Sequence, residues 1–478
     1  MKKPLSVSFL VLTVVASLVA QTTGEKRYSA RVSQSRLLTV VRELVTLGPR
    51  TGGTPSGDRA AQYVARRFRE SGYKPEVIED PELLTSSNLK WSLKVEEPRS
   101  LRNLIRNEWL GGFSPSVRRS KATVVFVADA SDLTKDELKG KAALLDDLSV
   151  PKSYQKIVEA GCSCILLISP KSERAYSKWA MISDLPRSHD NPIPLFDLSF
   201  GNGERLKESL ADSQSVVISY SAQTRIEQGK PKTVCAVLPG DSSAYYIVCA
   251  HGDSDSGGPG ADDNASGVSG VLEIARNLKS LVQSNAIPKP KFSIQFVVWG
   301  TEIHSTEHYV KARKDELEQI LGVINLDEIG TGVTRDCLYF ESNDVKHNER
   351  LLRTLEAIGE EYAGKKGYWA ESTTNPSLGG GTDSYVFFPS YLRHLRVPHI
   401  KIPSVTVYTG AWNELKRLRQ TEEWTSKAWK GHPDSVFIDY SAYYHSSLDL
   451  PEMTTEREPY NMVGAVKAVG IALLRLAW

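Results

Sequence analysis

The chain has 478 residues, enough for two or three domains, with 40% hydrophobic residues and a formal net charge of +2. So even a balance gives no electrostatic footprint for nucleic acid or an anionic surface. Five cysteines are too few for a disulfide scaffold.

Residues 1–24 read as a secretory signal. Lys2 and Lys3 form the positive end, Val7 to Ala16 the apolar core, and Ala20 a plausible last residue of the leader. A retained membrane anchor is the alternative, although the run is short for a span. The leader holds no cysteine, which argues against a lipoprotein. No later stretch is long and apolar enough to cross a membrane. The expected mature protein is soluble after signal removal and secreted, extracellular or periplasmic.

Residues 25–111 are expected to form a helical prelude packed on the main domain. Leu37, Val40, Val41 and Leu44 repeat at helical spacing, and Gly48-Pro49 ends that helix. The loop Arg50-Thr-Gly-Gly-Thr-Pro-Ser-Gly57 follows. A second helix carries Ala60, Ala61, Val64, Ala65 and Phe68. From 112 to 225 the pattern changes. Strands are expected at Thr123–Val127, Lys141–Leu145 and Cys162–Ile168, with a helix near 152–160. Cys162 and Cys164 form a C-x-C, but no second pair lies nearby and Cys164 opens an apolar run, so buried thiols are expected rather than a metal site.

Residues 226–478 read as one further domain. Strand-like runs at 292–299, 321–326 and 336–341 alternate with helical patterns. The rhythm points to an α/β fold of three layers: a mixed, mainly parallel sheet with helices on both faces. Residues 350–363 read as a helix. Leu378-Gly-Gly-Gly-Thr-Asp383 is glycine-rich but lacks the Lys-Ser/Thr of a phosphate cradle. Trp412, Trp424 and Trp429 lie in a segment, 411–440, expected to be a helical insertion near a site mouth. Its acids balance its bases, so nucleic-acid binding is not favoured there. The chain ends in an apolar helix bearing Val463, Val466, Val469, Leu473 and Leu476.

The chemistry collects after the apolar strands. His251 ends the run Tyr245–Ala250, and Asp253 stands two residues later, where a carboxylate can orient the histidine ring. A glycine turn leads to Asp262-Asp263. Glu302 follows the strand 292–299, Asp327 the strand 321–326, and His445 stands in Tyr443-Tyr-His445. In open α/β sheets ligands bind outside the carboxyl ends of the strands. One His or Asp there is usually a capping or solvated residue; the set in this order is what a metal site needs.

These motifs resemble peptidase family M28, the zinc aminopeptidases. The resemblance rests on His251-Gly-Asp-Ser254, Gly260-Ala-Asp-Asp-Asn-Ala-Ser-Gly267, Trp299-Gly-Thr-Glu302, Asn325-Leu-Asp-Glu-Ile-Gly330 and Tyr444-His-Ser-Ser-Leu-Asp-Leu-Pro-Glu452. It covers 233–478, with a prelude at 47–73. Leu138 to Asp146 and Ala160-Gly161 are similar to a protease-associated domain, a small α/β insertion. The family likeness implies an exopeptidase acting on peptide or protein N-termini. It implies two zinc ions, with His251 and Asp327 on one, Asp263 bridging and His445 on the second. It also implies Glu302 as general base, Asp253 as partner of His251 and Tyr444 as oxyanion donor.

One departure stands out. Ile303 occupies the place of a second glutamate that holds zinc in the family, and the following loop is about three residues short. Three readings stay open: His304 standing in for that glutamate, Glu302 as the ligand itself, or a weak or empty second site that leaves one zinc. Two other functions stay open: a glutaminyl cyclase with one zinc on the same core, and a catalytically impaired relative acting as a binding module.

Overall fold

The computed structural model describes residues 23–105, 108–146, 152–169, 183–212, 214–254, 258–331, 337–342, 349–376, 382–409, 443, 445–457 and 459–478. Most of the expected signal, the insertion at 411–440 and Tyr444 lie outside them. Among the described residues no helix is long and apolar enough to cross a membrane.

Residues 23–29 are helical, and the helices α1 (Gln34–Thr46) and α2 (Pro55–Glu70) follow. Ser33 and Thr54 cap them, each side-chain oxygen accepting a backbone N–H of the first turn. The strand β1 (Glu76–Glu79) follows. A second sheet then takes β2 (Leu83–Glu97), β3 (Trp109–Leu110), β4 (Val117–Phe126), β5 (Ala142–Leu145), β6 (Cys164–Ile168), β7 (Leu195–Leu198) and β8 (Val217–Gly229), with helices α3 (Ser153–Glu159) and α4 (Phe200–Ala211). Its order is β2-β8-β4-β5-β6-β7-β3. This sheet is wider than the 112–225 interval suggested by sequence. The long strand β2, placed by sequence in the helical prelude, pairs antiparallel with β8 from Leu83↔Gly229 to Glu97↔Val217. Cys162 and Cys164 are buried here, free thiols among apolar neighbours.

The chain returns through β9 (Lys232–Leu238) and β10 (Ser242–His251), then α5 (Gly267–Gln283), β11 (Phe292–Trp299), α6 (His304–Ala312) and β12 (Ile320–Leu326). It continues with β13 (Cys337–Ser342), α7 (Glu349–Tyr362), β14 (Glu371–Pro376), α8 (Pro389–His394), β15 (Ser404–Tyr408) and the closing helix α9 (Tyr460–Leu476). Together with β1 these strands form the main sheet, ordered β1-β9-β11-β10-β12-β15-β13-β14. The central four, β11, β10, β12 and β15, are parallel, and the rest make the sheet mixed.

Side chains alternate across β10, as a pleated strand requires. Tyr246, Val248 and Ala250 pack into one core with α1, α2, α5, α7 and α9. Tyr245, Ile247 and Cys249 pack into another with Trp299, Tyr309 and Leu392. The sheet is therefore covered on both faces, the three-layer arrangement expected.

The strand order places the site. From β10 the chain crosses to β11 on one side, then returns past β10 to β12 on the other. Such a reversal opens a crevice at the carboxyl end of the central strand. His251 is the last residue of that strand.

Asp197 on β7 is 2% exposed, and its Oδ2 accepts the Ser183 N–H at 3.1 Å. Burial lifts its carboxyl to about 8; nearby Asp184 adds to this and the Ser183 hydrogen bonds oppose it. The folded state thus keeps a proton that the unfolded chain releases near pH 4, so stability falls as pH rises from about 4 to about 8. Asp197→Asn keeps an acceptor without the titration. Comparing melting temperatures at pH 5 and pH 8.5, the variant should lose less than wild type, by on the order of 2 °C. Equal losses would contradict this assignment.

Candidate metal centre

Three adjacent parallel strands end at the same level. His251 pairs with Trp299 across β10 and β11, and Cys249 with Asn325 across β10 and β12. The residues just beyond these ends, Glu302 and Asp327, therefore stand beside His251. The loop before α5 supplies Asp263. One donor atom each from His251, Asp263 and Asp327 falls within 4.8 Å of the others.

The donor set fits a cation. His251 Nδ1 lies 3.0 Å from Asp253 Oδ1, and its Nε2 lies 3.2 Å from Asp263 Oδ1 and 3.3 Å from Asp327 Oδ1. With the proton held at Nδ1 by Asp253, Nε2 presents a lone pair to two carboxylate oxygens. Among the described residues, His251 Nε2 and Asp327 Oδ1 have no hydrogen-bond partner despite their burial. Two such ligand atoms around a tetrahedral zinc stand about 3.4 Å apart, from bond lengths near 2.1 Å. Burial alone would disfavour charge on His251. Asp327 and Glu302, with Asp253 and Asp263, outweigh it and hold its proton affinity well above the ordinary value.

Asp263 faces two histidines: its Oδ2 lies 3.2 Å from His445 Nε2. Burial raises its carboxyl, but His251 and His445 override that and hold it below the carboxylate range. The structure thus brings His251, Asp253, Asp263, Asp327 and His445 together. Glu302 joins them at the wall of the adjoining cleft, its N–H donating to Asp253 Oδ1 at 3.1 Å. Part of its surface opens to the cleft, yet the protein around it pushes the carboxyl well above the usual range; Asp327, Asp383 and Asp263 add to this against His251.

His304 is not brought into this group. It is the first residue of α6, and its Nε2 lies 3.2 Å from the Pro81 carbonyl oxygen. Ile303, at a left-handed φ of 57°, turns the chain into that helix and packs against the apolar core containing Trp299 and Tyr309. The expectation that His304 replaces the missing glutamate is not met by this geometry. Tyr444 lies outside the described residues.

Besides Asp262 of the acidic doublet, several residues that hold the site were not singled out in the sequence. Asp449 is buried and accepts the N–H groups of Asp262 at 2.8 Å and Asp263 at 3.0 Å, which fixes the metal-facing loop. Its place in the Leu448-Asp-Leu-Pro-Glu452 motif was the available signal. Asp262 accepts from the Gly330 N–H at 2.7 Å and from the Thr331 hydroxyl, so it ties this loop to the end of β12. Thr382 donates to Asp327 Oδ2 at 2.5 Å and so orients it. Asp383 accepts from the Ile303 N–H and the Thr306 hydroxyl; burial, with Asp327 and Asp253 nearby, lifts it to about 7 against His251.

Arg50 is fully buried and donates to the carbonyls of Gly252 at 3.1 Å, Pro259 at 2.8 Å and Gly260 at 2.7 Å. Gly260 has a φ of 61°, and a Cβ there would meet Asp263 O at 2.4 Å, so the turn admits only glycine.

A cavity of about 430 Å³ opens beside the cluster. Its walls come from the 47–59 segment, from the start of β2 and from Gly112 and Phe113, with His251, Asp253 and Glu302 at one side. Both sheets therefore contribute to it.

The Peptidase family M28 model matches residues 233–468, nearly half of the chain and the whole of this cluster. Over that span the chain is similar to this family. It is 25% identical over 399 residues to "Aminopeptidase YwaD" of Bacillus subtilis (strain 168), covering 75% of this chain and 79% of that one. Two solved structures share the fold. The M28 peptidase precursor from Shewanella amazonensis SB2B superposes with a TM-score of 0.66 at 15% identity, covering 95% of this chain and 96% of that one. BSAP, described as a zinc aminopeptidase from Bacillus subtilis, gives 0.57 at 19% identity, covering 93% and 95%.

Asp449 touches the loop and not the donor atoms, so it tests the support of the site. Asp449→Ala should weaken zinc binding by roughly 10–100-fold, the usual scale for a residue that orients metal ligands. Titration calorimetry of zinc into metal-free protein measures this. An unchanged affinity would show that the loop is held in place by other contacts.

Proposed function

We propose that this protein is an exported, zinc-dependent aminopeptidase that removes N-terminal residues from peptides. The observation carrying this is His251, buried between Asp253 on one ring nitrogen and Asp263 and Asp327 on the other, with Glu302 in the adjoining cleft. The aminopeptidase names of relatives matched along most of this chain support the same reading. The segment Lys2 to Ala20 supports export.

Zinc, when bound, polarises the scissile carbonyl and makes its bound water a nucleophile near neutral pH. The chain's own residues supply the rest. Asp253 holds the proton of His251 on Nδ1, which keeps Nε2 available as a ligand. Thr382 presents Asp327. Glu302 takes a proton from the attacking water and delivers it to the leaving amine. Its deep setting, which disfavours its charged form, suits a carboxylate that must accept that proton. Tyr444 retains the role of hydrogen-bond donor to the developing oxyanion.

A first zinc would be held by His251, Asp263 and Asp327. A second would rely on His445 with Asp263, since Ile303 is packed against the core and His304 faces Pro81. It is therefore the weaker site, and a dialysed sample should retain nearer one zinc than two. The wall formed by the second sheet gives a peptide chain room beyond its first residue. We assign that sheet to a protease-associated insertion.

Glu302→Gln keeps shape and hydrogen bonding but removes the proton acceptor. Turnover of aminoacyl p-nitroanilides should fall by roughly a hundredfold or more with zinc content unchanged. Loss of zinc alongside the rate would make Glu302 a ligand and overturn its role as base.

A further inference from the structure

The turn that carries Glu302 takes its hydrogen bonds from side chains. β11 ends at Trp299. Beyond it the Gly300 N–H donates to Thr233 Oγ1 at 3.1 Å and the Thr301 N–H to Ser305 Oγ at 2.9 Å. The Glu302 N–H donates to Asp253 Oδ1 at 3.1 Å and the Ile303 N–H to Asp383 Oδ1 at 3.3 Å. Ile303 holds a left-handed φ of 57°, which a β-branched residue disfavours, so the turn needs restraint from outside itself. The last two acceptors belong to the site already described. The first two both lead to Asp80.

Asp80 follows β1 and is 3% exposed. Its N–H donates to the Pro231 carbonyl at 2.9 Å, which ties it to the start of β9. Its Oδ2 accepts the Thr233 hydroxyl at 2.8 Å and the Ser305 hydroxyl at 2.6 Å. Its Oδ1 lies 3.0 Å from Nδ1 of His308, on α6. Each hydroxyl has one proton to give. Giving it to Asp80 leaves the oxygen lone pairs of Thr233 and Ser305 for the N–H groups of Gly300 and Thr301. A hydroxyl that donates to a carboxylate is also polarised into a stronger acceptor. Without Asp80 neither hydroxyl rotor is fixed.

The space around the turn is as tight as its hydrogen bonding. A Cβ on Gly300 would meet the Lys232 backbone nitrogen at 2.5 Å, and one on Gly52 would meet the Gly300 carbonyl oxygen at 2.6 Å. The chain passes between β9 and the Arg50–Gly57 loop at a separation that only glycine permits. A change in the bonds from Thr233 or Ser305 is therefore passed along the turn to the next residue, Glu302, at the wall of the cleft.

We infer that Asp80 is a positioning residue for Glu302: acting through the hydroxyls of Thr233 and Ser305, it sets where the Glu302 carboxylate stands in the cleft. This rests on the reading of Glu302 as general base. Asp80 is not among the donors of the metal cluster, and it lies outside residues 233–468, the span similar to the M28 family. Its effect is on geometry. Misplacing a reacting group by about 1 Å costs on the order of a hundredfold in rate.

The test is a cycle of four zinc-loaded proteins: wild type, Asp80→Ala, Glu302→Gln and the two changes together. Turnover of leucyl p-nitroanilide and zinc content are measured on each. Asp80→Ala should lower kcat roughly ten- to a hundredfold, with KM and zinc content little changed. In the Glu302→Gln background the same change should cost less than about twofold, because the group it positions no longer takes the proton. An equal loss in both backgrounds would overturn the inference, since Asp80 would then act on the fold at large. Unchanged kcat in Asp80→Ala, or loss of zinc, would overturn it too. If Asp80→Ala does not fold, Ser305→Ala removes one of the two relays and takes its place in the cycle, with the same outcomes deciding. A Glu302→Gln enzyme as fast as wild type would overturn the general-base reading and this inference with it.

Discussion

The structure turns on the burial of several carboxylates around one histidine. Asp262, Asp263, Glu328, Asp383 and Asp449 are all buried near His251. The protein offers His251, His445 and Arg50 against them. Arg50 is spent on backbone carbonyls, and burial drags its pKa down to about 10 although Asp449, Asp253 and Asp263 hold it up. Charges so withdrawn from water are tolerated only when paired. Hydrogen bonds from Gly330, Thr331, Thr382 and Thr306 absorb part of the burden. The rest calls for a cation at the point where the lone pairs of His251, Asp263 and Asp327 converge.

The fold supplies that point of convergence. β10 is flanked by β11 on one side and β12 on the other, with the connecting helices on opposite faces. The three strand ends deliver His251, Glu302 and Asp327 to one edge. The loop carrying Asp263 is held by Asp449 from near the end of the chain and by Arg50 from near its start. Segments far apart in sequence are therefore needed to shape one loop. The second sheet contributes no donor to the cluster but forms part of the wall of the cleft, where a substrate chain would extend.

Much of this was legible in the sequence. The alternation of apolar strands and helices after residue 226, the strand-end positions of His251 and Asp327, and the doublet Asp262-Asp263 are local signals with local causes. The elements that escaped are non-local. β2 was read as part of a helical prelude because nothing within residues 83–97 announces a partner strand at 217–229. Arg50 and Asp449 have roles only once their segments meet the loop of Asp263, so a glycine-containing loop and a short motif assigned neither of them a task. His304 was one of three readings of the lost glutamate, favoured because imidazole binds zinc well and the loop is shortened there. In the structure the turn at Ile303 starts a helix, and a one-residue step along that turn leads His304 to Pro81 instead. Proximity in sequence is a poor guide at such a corner.

The central claim is that a zinc ion sits between His251, Asp263 and Asp327. Anomalous diffraction across the zinc absorption edge, from crystals of protein purified without chelator, addresses it most directly. The account predicts a strong anomalous peak in contact with His251 Nε2 and with one carboxylate oxygen each of Asp263 and Asp327. A clear map with no peak among those three residues, in crystals supplied with zinc, would contradict it.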